Sequence, residues 1–217
     1  MSAKDLLFEI GTEEIPARFM PKALADLSSY AEDELAAAHI GYSGIIVECT
    51  PRRFVLTVTD LADSQKDSVE VSKGPLKAQA FDAEGRPTRA AEGFARSRGV
   101  DVSDLKVQEI NGAEYVVAEK KEIGQSTKIV LPNILDKILK KLSFQKSMYW
   151  ADPTVRFARP VRWIVALYGE SVINVEFGKV KSGNCTRGHR FMGSGLIEVK
   201  TLSEYKKAMK DNFVITD

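Results

Sequence analysis

DLLFEIGTEEIPARFMPKALADL, Asp5 to Leu27, opens as a strand and turns into a helix. Leu6, Leu7, Phe8 and Ile10 make a short apolar run of strand length, which Gly11 is expected to stop. Pro16 and Pro21 then punctuate the chain. A helix begun at Thr12 would carry Pro21 in its interior, where proline deletes a backbone hydrogen bond and collides with the preceding turn. The helix start therefore belongs near Pro21, in the first turn that proline favours. Met20, Leu24, Leu27, Ala31, Leu35 and Ala38 follow at spacings of three and four, which makes one apolar stripe. Gly41 is expected to end the helix as its left-handed cap.

Two strands come next, GIIVECT (44–50) and RFVLTVTDL (53–61), with Pro51 and Arg52 at the turn. In the second, Phe54, Leu56, Val58 and Asp60 are expected on one face and Val55, Thr57 and Thr59 on the other. The middle of the chain predicts a strand at SVEVS (68–72), a Gly74-Pro75 break and a short helix carrying Ala91, Phe94 and Ala95, ended by Gly99. A hairpin turning on Asn111-Gly112 follows. Gln125 to Leu142 reads as a helix with Ile129, Ile134, Ile138 and Leu142 on one face, kinked or truly begun at Pro132. VRWIVALYGE (161–170) and VINVEFGKV (172–180) predict a second hairpin around Gly169-Glu170, residues 201–211 a last helix, and FVIT (213–216) a strand. The order is α+β with mostly antiparallel strands. The expected division is a strand–helix–strand–strand unit at 1–62, an inserted middle lobe at 63–123, and a helix with a basic β-hairpin region at 124–217 packing on 1–62. An apolar run that stops at Asp217 reads as the cut end of a longer chain.

No apolar run approaches the roughly 18 residues of a membrane span, and the acidic N-terminus lacks a signal-peptide core, so the expected setting is the cytoplasm with no membrane partner. Cys49 and Cys185, far apart, fit reduced thiols rather than a disulfide framework. Net charge is +1, but residues 137–190 carry eleven basic and three acidic side chains, a surplus of eight. Such asymmetry points to a polyanion or to a face balanced by the acidic N-terminus.

The chemistry-bearing motifs are mostly absent. Gly74-Pro75-Leu76-Lys77 lacks the glycines of a phosphate loop. His39-Ile40-Gly41-Tyr42 ends a helix instead of starting one, so it does not meet phosphates through helix N–H groups. His39, Cys49, Cys185 and His189 have no metal-ligand spacing, and no metal is expected. Cys185 and His189 stand four apart, but a nucleophile needs a positioned base and an oxyanion hole, and neither is signalled. What remains is RFARPVRW (156–163). Arg156, Arg159 and Arg162 are joined by Lys146 upstream and by Arg187, His189 and Arg190 downstream. In a strand Arg156 and Arg162 would share a face, and Arg159 is held extended before Pro160. Guanidinium forks match phosphate. Tyr149, Trp150, Phe157 and Trp163 supply rings for stacking or core, with Trp163 expected in the core. The alternative for the arginines is pairing with acids such as Glu13 and Glu14.

Five segments together resemble one family. They are LLFEIGTEEIPARFM (6–20), TPRRFVLTVTDLA (50–62), GRPTRAAEGFAR (85–96), KSMYWADPTVRFARPVRWIVALYG (146–169) and TRGHRFMG (186–193). They resemble, in order, the β subunit of the bacterial heterotetrameric glycyl-tRNA synthetase, at its N-terminal end. The family has an arginine within the K-x-M-x-W turn where this sequence has Tyr149. The resemblance implies an α2β2 ligase that attaches glycine to tRNA-Gly, with ATP and Mg²⁺ used through the α subunit. It implies no catalytic residue and no cofactor in this chain. The partners it implies are the α subunit and tRNA-Gly, not DNA. Lys146, Arg156, Arg159, Arg162, Arg187, His189 and Arg190 are then expected to face tRNA or a subunit interface.

Overall fold

The computed structural model describes residues 3–82, 84–150 and 154–215. Along the chain run β1 (Lys4–Thr12), α1 (Met20–Ala37), β2 (Gly44–Thr50), β3 (Arg53–Leu61), β4 (Ser68–Leu76), α2 (Lys77–Ala80), α3 (Arg89–Arg98), β5 (Lys106–Ile110) and β6 (Ala113–Glu122). There follow α4 (Thr127–Lys141), β7 (Met148–Tyr149), β8 (Arg156–Phe157), β9 (Val161–Tyr168), β10 (Ser171–Val172), β11 (Glu176–Phe177), β12 (Val180–Gly183), β13 (Cys185–Arg187), β14 (Leu196–Glu198) and α5 (Leu202–Asp211). The fold is α+β, and its strand pairs are antiparallel except for β12 against β9. No helix among the described residues is long and apolar enough to cross a membrane.

The chain divides into two compact units, Met1–Gln65 with Gln125–Asp217, and Lys66–Gly124. Chain exit and re-entry are neighbours in the first unit. Gln65 N–H donates to Gln125 O at 2.9 Å and Thr127 N–H to Asp63 O at 2.8 Å.

The first unit is built on a sheet of order β11-β12-β9-β1-β3-β2, with β10 paired to β9. β1 lies inside it, which is why LLFEI reads as a nearly unbroken apolar run rather than an alternation. Leu6, Phe8 and Ile10 point to one face with Phe54, Leu56, Val58, Ile164 and Ala166. That face packs on Ala23, Leu27, Ala31 and Leu35 of α1 and on Leu131, Leu135 and Ile138 of α4. Leu7, Val55, Trp163, Val165 and Leu167 point the other way, onto Tyr205 and Met209 of α5. Each fully buried Leu or Phe contributes about 1.5–3 kcal/mol.

Several expectations are corrected at the ends of elements. Gly11 does not stop β1, because its missing side chain makes room for the Trp163 ring and the strand runs on to Thr12. His39, not Gly41, takes the left-handed position after α1, at φ 53°. Ile40 N–H then reaches back to Leu35 O at 3.0 Å, and both side chains are buried in the same core. Asp60 sits at φ 50° beside a register shift between β1 and β3, so Leu61 rather than Asp60 joins the inner face. Helix α4 starts at Thr127 and carries Pro132 inside. Ile129 lies on its solvent side, and Thr127, Leu131, Leu135 and Leu139 complete the buried stripe with Ile134 and Ile138. VINVEFGKV is broken into β10 and β11, and residues 213–215 are not strand, with Phe213 at φ 59°. Thr216 lies outside the described residues.

In the second unit β4, β6 and β5 form an antiparallel sheet in that order. Gly74-Pro75 is a register shift within β4 rather than its end. The Phe94 ring fills the place of a Gly74 side chain, with Phe94 Cε1 2.6 Å from where a Cβ would stand. The Asn111-Gly112 turn has φ 53° and 79°, as a tight hairpin with twisted strands requires.

Candidate nucleic-acid interface

Three connections meet at the end of the sheet where β1 finishes. Thr12 N–H donates to Arg52 O at 2.8 Å, Glu13 N–H to Pro160 O at 3.0 Å and Ile15 N–H to Pro51 O at 2.7 Å. Backbone donors that leave β1 thus stitch the Glu13-Glu14 loop to the β2–β3 turn on one side and to the approach to β9 on the other. The segment RFARPVRW is not one strand. Arg156 lies in β8 and Arg162 in β9, separated by bends at Ala158 and Arg159 before Pro160. Arg156 and Arg162 therefore do not share a strand face.

Beneath this rim lies a buried ion pair that sequence reasoning missed. Glu9 is 0% and Arg53 2% exposed, and their side chains meet at 2.9 Å. Glu9 Oε2 also accepts from Thr186 Oγ1 at 2.6 Å, and Arg53 donates to Arg187 O at 2.6 Å. The pair thereby clamps β13 to the sheet. Burial pushes the Glu9 carboxyl up, and the Arg53 guanidinium is the chief influence pulling it back. Trp163 Nε1 and Tyr205 Oη share this nest without hydrogen-bond geometry of their own, yet near enough to favour the charged carboxylate. Burial, and then the Glu9 charge, hold the Tyr205 hydroxyl well above its ordinary range. The available signal was a lone Glu inside an apolar strand, a residue almost never fully buried unless paired.

Guanidiniums of the pair and of the rim crowd around Trp163. Arg52, Arg53 and Arg187 stand 5.9, 5.6 and 5.8 Å from its ring centre. At the surface Arg162 meets Glu13 at 3.4 Å, and Arg190 meets Glu13 at 3.9 Å and Glu14 at 3.6 Å. Arg159 Nε donates to Glu14 O at 3.1 Å. Arg159, Arg162, Arg187, His189 and Arg190 thus belong to one rim, together with Arg52. Lys146 and Arg156 sit on a neighbouring hairpin, where Arg156 donates to Ser147 O at 3.5 Å and lies over the Tyr149 ring. That hairpin is anchored by Phe157 against Phe144, ring centres 4.7 Å apart.

The TRGHRFMG loop is tightly folded. A Cβ on Gly188 would stand 2.7 Å from Asn212 Cβ, and one on Gly193 2.7 Å from His189 N. His189 Nδ1 accepts from the backbone N–H of Phe191 and of Met192, both at 3.3 Å, which places the neutral ring's proton on Nε2. The Cys185 thiol faces Asn184 Oδ1 at 3.7 Å, so Cys185 and His189 each have other partners and form no nucleophile–base couple. Cys49 and Cys185 are free thiols, and burial pushes the Cys49 thiol up.

The chain's likeness to known proteins is extensive. Residues 6–217 match the family described as "Glycyl-tRNA synthetase beta subunit". It is 47% identical over 215 residues to a protein of Citrifermentans bemidjiense named "Glycine--tRNA ligase beta subunit", covering 99% of this chain and 31% of that one. Proteins of the same name from Syntrophomonas wolfei and Desulfitobacterium hafniense are 42% and 47% identical over the same 215 residues, also covering 99% of this chain and 31% of each relative. The chain spans about a third of the length of the curated relatives it matches. It belongs to the glycyl-tRNA synthetase β-subunit family.

Proposed function

We propose that this chain serves a cytoplasmic ligase that attaches glycine to tRNA-Gly, as part of a β subunit whose α-subunit partner uses ATP and Mg²⁺. In this reading the rim formed by Arg52, Arg159, Arg162, Arg187 and Arg190 grips the tRNA backbone. The carrying observation is their gathering at one end of a rigid sheet, above a buried pair that fixes the strand bearing Arg187. tRNA is mostly A-form duplex, recognised through shape, phosphate and 2′-hydroxyl contacts, which planar guanidinium forks suit. Glu13 and Glu14 hold Arg162 and Arg190 at half-exposed positions, where ion pairs are weak and screened. Phosphates can take their place. Holding one tRNA for a reaction centre on another subunit contributes rate through placement.

A second reading, an α-subunit interface without RNA, is favoured by the exposed Phe191, Met192, Phe213 and Ile215 beside the same rim. Titration with tRNA-Gly transcript and a non-cognate tRNA across a salt series, alongside capture of the α subunit, separates the two. Binding with a steep salt dependence supports the RNA grip. Capture of α without RNA binding at low salt overturns it.

A further inference from the structure

Between the Pro51–Arg53 turn and the Gly188–Phe191 loop lies a cleft of about 510 Å³. Arg52 comes from the first and Arg190 and Phe191 from the second, Glu14 lines the cleft as well, and Phe191 is 86% exposed. Arg52 has no acidic partner within ion-pair distance among the described residues, and its Nε is buried with no acceptor. Desolvation pulls its pKa down from the ordinary value. Glu13 and, more weakly, Glu14 oppose that, while Arg190 and Arg53 add like-charge repulsion. The guanidinium of Arg190 lies 5.8 Å from the Phe191 ring centre, and the His189 ring 6.3 Å from it. An exposed aromatic ring beside the Arg190 guanidinium, in a cleft that Arg52 also lines without an ion pair, calls for a ligand with both a flat apolar face and a negative charge.

We propose that this cleft receives an unpaired nucleotide of the bound RNA, with its base against Phe191 and its phosphate on Arg52. The inference rests on the RNA-gripping reading above and adds to it a single-stranded element that duplex contacts would not need. Unpaired bases are held by stacking on aromatic rings and guanidinium planes, in a way tolerant of base identity. The volume falls within the range of small-molecule clefts.

The test compares a blunt RNA hairpin with the same hairpin carrying a short single-stranded tail that contains 2-aminopurine. The tail should raise affinity about tenfold, the order one base-on-ring stack gives, and quench the 2-aminopurine emission. The ratio of the two affinities, which cancels any general loss of folded protein, should fall to near one in Phe191→Ala and in Arg52→Ala. It should persist in Phe191→Tyr. Equal binding of blunt and tailed hairpins by the unaltered protein overturns the inference and leaves the RNA grip standing. A tail advantage undiminished in Phe191→Ala also overturns it. If neither hairpin binds, the RNA reading fails and takes the inference with it.

Discussion

Trp163 occupies the space that a side chain at Gly11 would need: a Cβ on residue 11 would stand 1.9 Å from Trp163 Cε2. The two residues are register partners across β1 and β9, so neither backbone can give way without breaking the ladder. Gly11→Ala should cost at least the 1–3 kcal/mol typical of overpacking, about 3 kcal/mol here. Urea unfolding measures it. Most of that loss should return when Gly11→Ala is combined with Trp163→Leu, and no recovery would mean the clash lies elsewhere.

The Glu9–Arg53 pair should behave as a unit. Arg53→Met strands a buried carboxylate and is expected to cost about 3–5 kcal/mol, whereas Arg53→Met with Glu9→Leu should cost less than the single change. The pH dependence has a defined sign. Burial raises the folded Glu9 pKa above its ordinary 4.5, and removing Arg53 raises it further. A raised carboxyl stabilises the fold at low pH and loses that contribution as pH rises through the folded value. The deficit of Arg53→Met should therefore grow with increasing pH, as read by thermal melts.

Glu34 on α1 meets Lys141 at 2.5 Å and Lys137 at 3.3 Å on α4. The Lys141 ammonium, more than any other group, holds its pKa below the ordinary 4.5. A lowered carboxyl contributes stability above its unfolded value and loses it as pH falls through the folded one. Glu34→Gln should thus cost about 1 kcal/mol near neutrality, since both lysines are half exposed, and almost nothing under acid conditions. A deficit independent of pH would contradict the assignment.

In the proposed RNA grip, Glu13 and Glu14 would compete with phosphate for Arg162 and Arg190, which they pair with in the structure. Glu13→Gln with Glu14→Gln should tighten RNA binding severalfold at low salt and leave stability nearly unchanged. Weaker binding would mean the carboxylates orient the arginines instead of masking them.

The legible parts of this molecule are those in which local chemistry and tertiary packing agree. Pro21 marked the start of α1, Asn111-Gly112 the hairpin of the second unit, and residues 201–211 the last helix, where the structure adds Thr201 and Glu204 accepting from the Glu204 and Lys200 N–H groups at 3.1 and 2.8 Å. The misread parts depend on neighbours distant in sequence. Gly11 resembled a terminator because the ring that fills its side is 152 positions away. The left-handed turn at His39 was assigned to Gly41, whose freedom was not required. The arginine cluster was visible in the run at 156–163, but Arg52 and Phe191 were not, since only the fold brings the β2–β3 turn to the 188–191 loop. Glu9 stood in plain view as a charge among leucines, and only its partner was missing.

The RNA-gripping role of the rim is tested most directly by the salt dependence of tRNA-Gly binding by the unaltered protein and by Arg159→Ala with Arg162→Ala. The double variant should bind more weakly, with the slope of log affinity against log salt reduced by up to about one unit per lost phosphate contact, and with little change in melting temperature. An unchanged slope accompanied by a lowered melting temperature would contradict that role and make these arginines part of the scaffold.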